Sequence, residues 1–405
     1  MDTTNSNRSP AAAGGDNVPL ETGGTSLPAA AGGMSSPLEF YVTAGPGTEG
    51  VLRDELSELG FRSVRLNRGG IPFFGSWEDG WRACLQTRIG QRVMVVLGRY
   101  PAQDQDELYQ GAKDLAWGEF LTTEKTFAVA AFVHESCGVS NNLAALRVKD
   151  AIVDRLRDET GTRPDVHRDD PDVRVFLYWT RGRATVYLDL SGEPLFKRGY
   201  RQSGGEAPLK ETLASAVLRL SGWDRKMPLV DPMCGSGTLV IEAALWACQV
   251  APGIWRERFG FERWANFGVG AAERLDRLRG ELRGLGHGQP PRITGFDLDE
   301  AALESARANA RAAGLRLSFR CMPLRELQAD GQRRLLIANP PYGVRLDADH
   351  QLYQELGAAV RRLQGWRVCL LTGNPQLTKY IPMRPQAEHP LKNGSIDCRL
   401  LVYEC

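Results

Sequence analysis

The chain has 405 residues, enough for two or three domains that each bury a core of their own. Its 50 Lys and Arg residues oppose 49 Asp and Glu residues, so the net charge of +1 neither supports nor excludes a nucleic-acid partner, and any basic surface must be local. No apolar run approaches the roughly 18 residues of a membrane span, which argues against a membrane protein. The eight cysteines form no Cys-x-x-Cys pair, which argues against a bound metal and favours reduced thiols in a cytoplasmic protein.

Residues 1–37 are rich in Ala, Gly, Ser, Thr and Pro and offer little to bury, which predicts a disordered tail. A mitochondrial presequence is the alternative. It would carry several arginines and few acids, whereas this stretch has only Arg8 as a basic residue and contains Asp2, Asp16 and Glu21.

Residues 38–100 are predicted to form one small α+β domain. Apolar alternation and helical spacing indicate strands at Leu38–Ala44, Val64–Phe74 and Arg92–Arg99, with helices at Thr48–Leu59 and Ser76–Arg88. The connections between them are short, as is usual within one domain.

Residues 101–190 are predicted to form a second unit with a helical segment, a strand at Thr126–Val133, a helix at Asn141–Glu159 and strands at Val173–Trp179 and Ala184–Leu190. The apolar face expected of the long helix consists of Leu143, Leu146, Ile152, Val153 and Leu156.

Basic side chains in this second unit are candidates for contact with phosphate groups. Arg147 and Lys149 are expected outside the apolar face of the long helix, and Arg181 and Arg183 belong to the turn between the last two strands. The alternative is that these charges merely solvate a helix and a turn.

Residues 191–210 are dense in turn-forming residues and predict a basic interdomain linker. Its basic side chains are further candidates for contact with phosphate groups, namely Lys197, Arg198, Arg201 and Lys210.

Residues 211–405 alternate between strand and helix, which predicts an α/β fold with a Rossmann-like, doubly wound parallel sheet. The expected elements are strands at Leu229–Asp231, Ile293–Asp297, Leu317–Cys321, Leu335–Ala338 and Arg367–Leu371, with helices at 237–249, 300–313 and 352–363.

A glycine-rich turn follows the first of these strands and precedes a helix, the place where such sheets bind small ligands. Glycines let the backbone approach the ligand, and the helix N-terminus attracts an anion. The pattern is neither Gly-x-Gly-x-x-Gly nor a Walker loop, but it suits the methionine carboxylate of S-adenosylmethionine. The candidate cofactor-binding residues here are Asp231, Pro232, Cys234, Gly235, Ser236, Gly237 and Thr238.

Asp297 ends the second strand, where an acid can accept hydrogen bonds from both ribose hydroxyls, and it is the candidate ribose-binding residue. The alternative role is to cap the following helix, for which Asp299 is better placed.

The strand at Leu335–Ala338 ends in Asn339-Pro340-Pro341-Tyr342, the candidate catalytic residues. The Asn339 side-chain oxygen and the Pro340 main-chain carbonyl can each accept one hydrogen of an exocyclic amine, which would aim the nitrogen lone pair at the methyl group. The prolines stiffen the turn, and Tyr342 can stack on an extruded base. Asn339 is also a candidate for cofactor contact.

These motifs, with Lys197-Arg-Gly-Tyr-Arg201, Ala207-Pro-Leu-Lys-Glu-Thr212, Ala251-Pro-Gly253 and Leu391-Lys-Asn-Gly-Ser-Ile-Asp-Cys-Arg-Leu400, resemble those of the THUMP-domain RNA guanine-2-amino methyltransferases over about residues 38–405. The resemblance implies a ferredoxin-like domain at 38–100, an RNA-gripping THUMP domain at 101–190 and a methyltransferase domain at 211–405. It also implies S-adenosylmethionine as cofactor and an RNA substrate, with large-subunit ribosomal RNA ahead of transfer RNA.

Two features depart from the simplest pattern. About 60 residues separate Asp231 from Asp297, where a minimal unit needs roughly 20, so an insert around 255–283 is expected to pack outside the sheet. The strand at 317–321 leads into Met322 and Pro323 instead of an acid, which leaves adenine to backbone and apolar contacts.

Other functions remain open. Asn-Pro-Pro-Tyr also serves adenine methyltransferases acting on DNA and enzymes that methylate a glutamine amide in release factors. A non-catalytic RNA-binding protein that keeps the cofactor fold is a further alternative.

Overall fold

The computed structural model describes residues 37–202, 209–286, 288–341 and 346–405, so residues 1–36 of the predicted tail lie outside it. The elements of the first half are β1 (Leu38–Thr43), α1 (Glu49–Glu58), β2 (Gly70–Gly75), α2 (Trp77–Gln86), β3 (Arg92–Pro101), α3 (Gln105–Lys113), β4 (Thr126–Val133), α4 (Asn141–Thr160), β5 (Asp165–Val166), β6 (Val173–Thr180) and β7 (Arg183–Asp189).

These seven strands form one continuous sheet in the order β2-β1-β3-β7-β6-β4-β5. Strand β3 pairs with β1 on one side and with β7 on the other, both antiparallel. The boundary expected between residues 100 and 101 therefore falls within a strand, and the two N-terminal units share one sheet and one hydrophobic core.

Two expectations for this half are wrong. The strand expected at Val64–Phe74 begins only at Gly70, because the residues before it turn through Gly69, whose φ is +79°. On α4, Leu143 and Leu146 are 45% and 50% exposed, whereas Ile152 and Leu156 are buried as expected, together with Ala144, Val148 and Ala151. Helical spacing allowed either of two faces of α4 to be the buried one. The face with the small residues packs on α3 and β4.

The second half comprises α5 (Glu211–Leu220), β8 (Leu229–Asp231), α6 (Thr238–Ala247), α7 (Val269–Leu285), β9 (Ile293–Asp297), α8 (Glu300–Ala312), β10 (Ser318–Cys321), β11 (Leu335–Ala338), α9 (Leu346–Arg362), β12 (Arg367–Thr372), β13 (Ala387–Asn393) and β14 (Ile396–Glu404).

Its strands form a second sheet in the order β10-β9-β8-β11-β12-β14-β13. The first five are parallel, as expected, while β14 and β13 add an antiparallel hairpin at one edge, so the sheet is mixed. Alternate residues of the strands point to opposite faces of the sheet and belong to two hydrophobic cores, one beneath α6 and α8 and the other beneath α9. Helices thus cover both faces, as in a doubly wound fold.

The expected insert packs against the N-terminal half rather than on the second sheet. The ring of Phe261 stacks on Trp81 at 5.5 Å between centroids, and Trp264 meets Phe120 edge-on at 5.5 Å. A Cβ on Gly253 would lie 2.8 Å from Cα of Leu85, so only glycine permits this approach. The insert is part of the second half of the chain but packs on the first half, and it therefore connects the two.

Residues 191–202, called the strap below, belong to the predicted interdomain linker and are anchored by the insert. The guanidinium of Arg256, in the insert, donates four hydrogen bonds of 2.8–3.1 Å to carbonyls of the strap, namely those of Ser191, Glu193, Pro194 and Lys197. The strap is thereby held in place. Residues 203–208 of the expected linker lie outside the described residues.

Candidate active site

Three turns that carry the candidate residues lie at one edge of the second sheet. Strands β9, β8 and β11 are adjacent and parallel, with Val230 opposite both Thr294 and Leu336. Since parallel strands present their carboxyl ends at the same edge, the glycine-rich turn, Asp297 and Asn339-Pro340 are brought together there.

Backbone geometry explains the glycines of the first turn. Gly235 and Gly237 have φ values of +50° and +84°, where side chains are disfavoured. A Cβ on Gly235 would meet nothing within 4 Å, so this part of the turn borders open space. The Gly235 N–H donates to Asp297 Oδ2 at 2.8 Å, and the Gly237 N–H donates to the Cys234 carbonyl at 2.8 Å.

Helix α6 begins directly after this turn and leaves donors for an anion. Its first intrahelical bond runs from the Ile241 N–H to the Gly237 carbonyl, and no side chain caps its N-terminus. The N–H groups of residues 238–240 therefore have no acceptor within the helix. Together with the helix dipole they fit a carboxylate.

Asp231 is buried at the end of β8, and burial raises its pKa to about 8, with the nearby charge of Asp297 acting in the same direction. The Met233 N–H donates to its Oδ1 at 3.1 Å. A buried carboxylate of this kind is stabilised in its ionised form by a cation, which fits the ammonium group of an amino-acid ligand.

Asp297 supports the glycine-rich turn. Its Oδ2 accepts the Gly235 N–H and its Oδ1 accepts the Asp299 N–H at 3.1 Å. Asp299, not Asp297, caps α8, by accepting the Ala301 N–H at 2.9 Å. Each oxygen of Asp297 keeps further lone pairs, so the predicted ribose contact is compatible with this geometry.

The turn after β11 begins with a half-buried Asn339 and a buried Pro340, followed by an exposed Pro341. Tyr342 lies outside the described residues. The two acceptors expected of this turn, on Asn339 and Pro340, therefore follow the strand that lies directly beside β8.

Two residues that support the glycine-rich turn were not assigned this role from the sequence. Arg201 donates to Ser236 Oγ at 3.1 Å and to Thr238 Oγ1 at 3.0 Å while pairing with Glu211 at 2.6 Å. Asn309, buried in α8, donates to the Ser236 carbonyl at 3.1 Å and accepts the N–H of Gln202 at 2.8 Å. A polar residue at a buried helical position was the available signal for Asn309.

The structure corrects the RNA-contact expectation for Arg198. Its side chain is 1% exposed, pairs with Glu242 and donates to the carbonyls of Leu195 and Arg88. RNA could not reach it. Arg201 is likewise turned onto the glycine-rich turn.

The other expected RNA contacts lie at the surface. Arg147 pairs with Asp106 at 2.5 Å, Lys149 with Asp150 at 2.6 Å, and Lys197 with Glu193. Lys210 lies over the Phe196 ring at 5.1 Å. Arg181 and Arg183 are exposed at the tip of the β6–β7 hairpin. Their contact with RNA remains a prediction.

Within the described ranges, no group of three or more His, Cys, Asp or Glu side chains could hold a metal ion. None of the helices in these ranges has both the length and the apolar character needed to cross a bilayer.

A doubly wound sheet with a glycine-rich turn, an acid on the neighbouring strand and Asn-Pro-Pro on the other side defines a Rossmann-like methyltransferase domain. Comparison with known proteins agrees: the chain belongs to the RMKL-like methyltransferase domain family, which matches residues 198–401. A THUMP domain matches residues 102–189, and the RlmL ferredoxin-like domain matches residues 39–94. The resemblance, the fold class and S-adenosylmethionine as the cofactor are thereby confirmed.

Among curated relatives, the ribosomal RNA large subunit methyltransferase K/L of Syntrophotalea carbinolica is 42% identical over 380 residues, which cover 90% of this chain and 53% of the relative. The chain spans about half the length of the curated relatives it matches.

Two solved structures match nearly end to end. SMU.472, complexed with S-adenosylhomocysteine (SAH), is 30% identical with a TM-score of 0.81, covering 92% of this chain and 99% of that one. A predicted N6-adenine-specific DNA methylase from Listeria monocytogenes is 32% identical with a TM-score of 0.81, covering 91% and 96%.

Proposed function

We propose that this protein methylates the exocyclic 2-amino group of a guanosine in structured RNA, with large-subunit ribosomal RNA as the substrate. The observation that carries the proposal is the adjacency of β8 and β11, which sets Asn339 and Pro340 beside the glycine-rich turn at one sheet edge.

The chain offers a contact for each part of S-adenosylmethionine, whose sulfonium supplies an electrophilic methyl group. The N-terminus of α6 would hold the carboxylate, Asp231 the ammonium group and Asp297 the ribose hydroxyls. Leu298, 69% exposed directly after Asp297, and Met322, whose N–H donates to the Asp297 carbonyl at 3.3 Å, would pack against adenine. This assignment keeps the apolar adenine site expected at Met322 and adds Leu298 to it.

Asn339 and Pro340 would orient the substrate amine. Each oxygen accepts one N–H, so the nitrogen lone pair is withdrawn from the ring and points at the methyl carbon. A nitrogen–carbon bond forms as the carbon–sulfur bond breaks, and the surplus proton on nitrogen leaves to water. No strong general base is required. Tyr342 would stack on the base, a role that stays a prediction from the sequence.

The choice of RNA rests on the THUMP domain and on the names of the curated relatives, which specify large-subunit ribosomal RNA. Transfer RNA is the nearest alternative. The name of the Listeria monocytogenes relative supports adenine in DNA as a second candidate. Release-factor glutamine and a non-catalytic RNA-binding role remain from the sequence reasoning.

A labelling experiment separates these functions. The protein is incubated with methyl-labelled S-adenosylmethionine and, separately, with unmodified ribosomal RNA, transfer RNA, DNA and release factor. We expect label in large-subunit RNA, recovered as N2-methylguanosine after digestion to nucleosides. Label in adenine or in protein would overturn the proposal.

The catalytic turn is tested by Asn339→Ala. Loss of one amine acceptor should reduce kcat by about 100-fold or more, since small errors in the alignment of reacting groups have effects of this size. Affinity for RNA should stay within about twofold, because it depends chiefly on contacts elsewhere, and any fall in SAH affinity would measure the predicted contact of Asn339 with the cofactor. Asn266→Ala, in the insert, is the matched control. Equal rates for both variants would remove Asn339 from the mechanism.

A further inference from the structure

The sequence from Ser305 to Pro323 contains four arginines and no acidic residue. The chain as a whole balances 50 basic against 49 acidic residues, so this stretch departs from its surroundings. A local surplus of this kind indicates a binding surface only if the fold gathers the charges in one place.

The fold does gather them. An open groove of about 440 Å³ lies between helix α8 and the edge strand β10. Its lining includes all four arginines, namely Arg307, Arg311, Arg316 and Arg320. Leu315, Leu317 and Phe319 form the apolar part, and no acidic residue lines the groove.

Three of these arginines differ from Arg147, Lys149 and Lys197, which were expected to contact RNA. Arg307 pairs with Glu300 at 2.6 Å and donates to the Phe319 carbonyl. Arg311, Arg316 and Arg320 are exposed, and across residues 37–202, 209–286, 288–341 and 346–405 no carboxylate pairs with them. Arg147, Lys149 and Lys197 each have such a partner.

Protection of a sheet edge is a simpler role for charge on β10. A charged side chain on an edge strand discourages pairing with another chain, and Arg320 alone would serve that purpose. It does not account for Arg311, which comes from a helix, or for the lack of acids in the groove. Several guanidinium groups converging without carboxylates are better suited to an external polyanion.

We propose that this groove, formed by Arg311, Arg316 and Arg320 between α8 and β10, binds phosphates of the RNA backbone. The inference rests on the proposed function, since it assigns a contact for the same substrate. Strand β10 lies three strands from β11, about 14 Å at the usual strand spacing. Its carboxyl end leads into Met322 at the catalytic edge. Arg320 lies near that end, whereas Arg316 precedes β10 and Arg311 lies in the last turn of α8, so RNA flanking the target nucleotide would contact all three by running along the strand.

The test compares two triple variants of the full chain. R311Q/R316Q/R320Q removes three charges from the groove. R53Q/R333Q/R399Q removes three charges from exposed arginines that pair with Asp54, Glu404 and Glu388. Binding to a radiolabelled large-subunit ribosomal RNA transcript is measured by filter binding over a range of salt concentrations, with SAH affinity and thermal unfolding as checks on folding.

Each lost phosphate contact should reduce the slope of log K against log salt by about 0.7, so the groove variant should show a slope about 2 smaller. Its RNA affinity at low salt should fall about tenfold or more, with SAH affinity unchanged. The control should match the wild type. An unchanged slope in the groove variant, or an equal loss in the control, would overturn the inference and leave the groove for an acidic protein.

Failure of the proposed function would look different. A wild-type protein that binds the transcript with a slope dependent on the groove but methylates DNA or protein would refute the proposed substrate and keep the RNA groove. A wild-type protein that binds no RNA would refute both.

Discussion

Two arginine-bearing regions of this protein place their charge in opposite ways. In the strap, Arg198 and Arg201 point inward and are bonded to Glu242, Glu211 and backbone carbonyls. Along α8 and β10, arginines point outward into a groove without acids. The first region holds the fold together, and the second is available to a partner.

The difference depends on where the acids lie. Glu242 is 44 residues from Arg198 in the sequence, and the carbonyl of Arg88 that binds the same guanidinium is 110 residues away. Turn-forming composition suggested a basic interdomain linker, and it did not show that distant residues complete a buried polar cluster there. A basic stretch of sequence therefore shows where arginines are concentrated, but not whether they stabilise the fold or bind a partner.

The largest effect expected from this comparison is on stability. Arg198→Ala leaves Glu242 buried without its cation, and breaking a buried pair in this way costs about 3–5 kcal/mol. Chemical denaturation should show that loss, and the salt slope of RNA binding should not change. Lys197→Ala, whose exposed pair with Glu193 contributes little, should stay within about 0.5 kcal/mol of the wild type. A stable Arg198→Ala with weakened RNA binding would break the comparison.

Asp231 is also a buried acid, but no cation pairs with it among the residues that the structure describes, and this sharpens the contrast with Glu242. Because the pKa of Asp231 is raised to about 8, the native protein holds more protons than the unfolded chain between pH 4 and 8, so its stability should fall as pH rises through that window. Binding of an ammonium group requires the ionised form. SAH affinity should therefore rise up to about tenfold per pH unit from pH 6 to 8 and then level off.

Calorimetric titration of SAH at several pH values measures this dependence. Asp231→Asn should bind SAH more weakly and with little pH dependence. A wild-type affinity that is flat between pH 6 and 8 would show that Asp231 does not contact the ammonium group.

The parallel strands and the motif turns were predictable because local signals specify them. Strands β8, β9 and β11 are short, largely buried runs; β8 and β11 are followed by the conformationally restricted Gly235 and Pro340, and β9 ends in Asp297. Parallel pairing then places those ends at one edge. This reasoning predicted that the three turns lie at one edge of the sheet, and the roles of their side chains remain predictions.

Features that depend on distant partners were not predictable. Helix α5 and the β13–β14 hairpin were not expected, and their packing partners lie elsewhere in the chain. The exposed Leu143 and Leu146 show that apolar spacing alone does not decide which helical face packs. The role of Arg201 depended on its proximity to Ser236, 35 residues away.

The smallest effect expected concerns Arg201, which joins the strap to the cofactor site. Arg201→Gln removes the bonds to Ser236 and Thr238, loosening the turn that would hold the methionine part of the cofactor. SAH binding should weaken about tenfold, equivalent to about 1.4 kcal/mol. RNA affinity should remain within about twofold. Lys210→Gln, a nearby exposed cation, is the control and should leave SAH binding unchanged. The contrary result is an Arg201→Gln variant that binds RNA more weakly and leaves SAH binding unchanged. That result would show that Arg201 contacts RNA, and the strap would then be a binding surface like the groove.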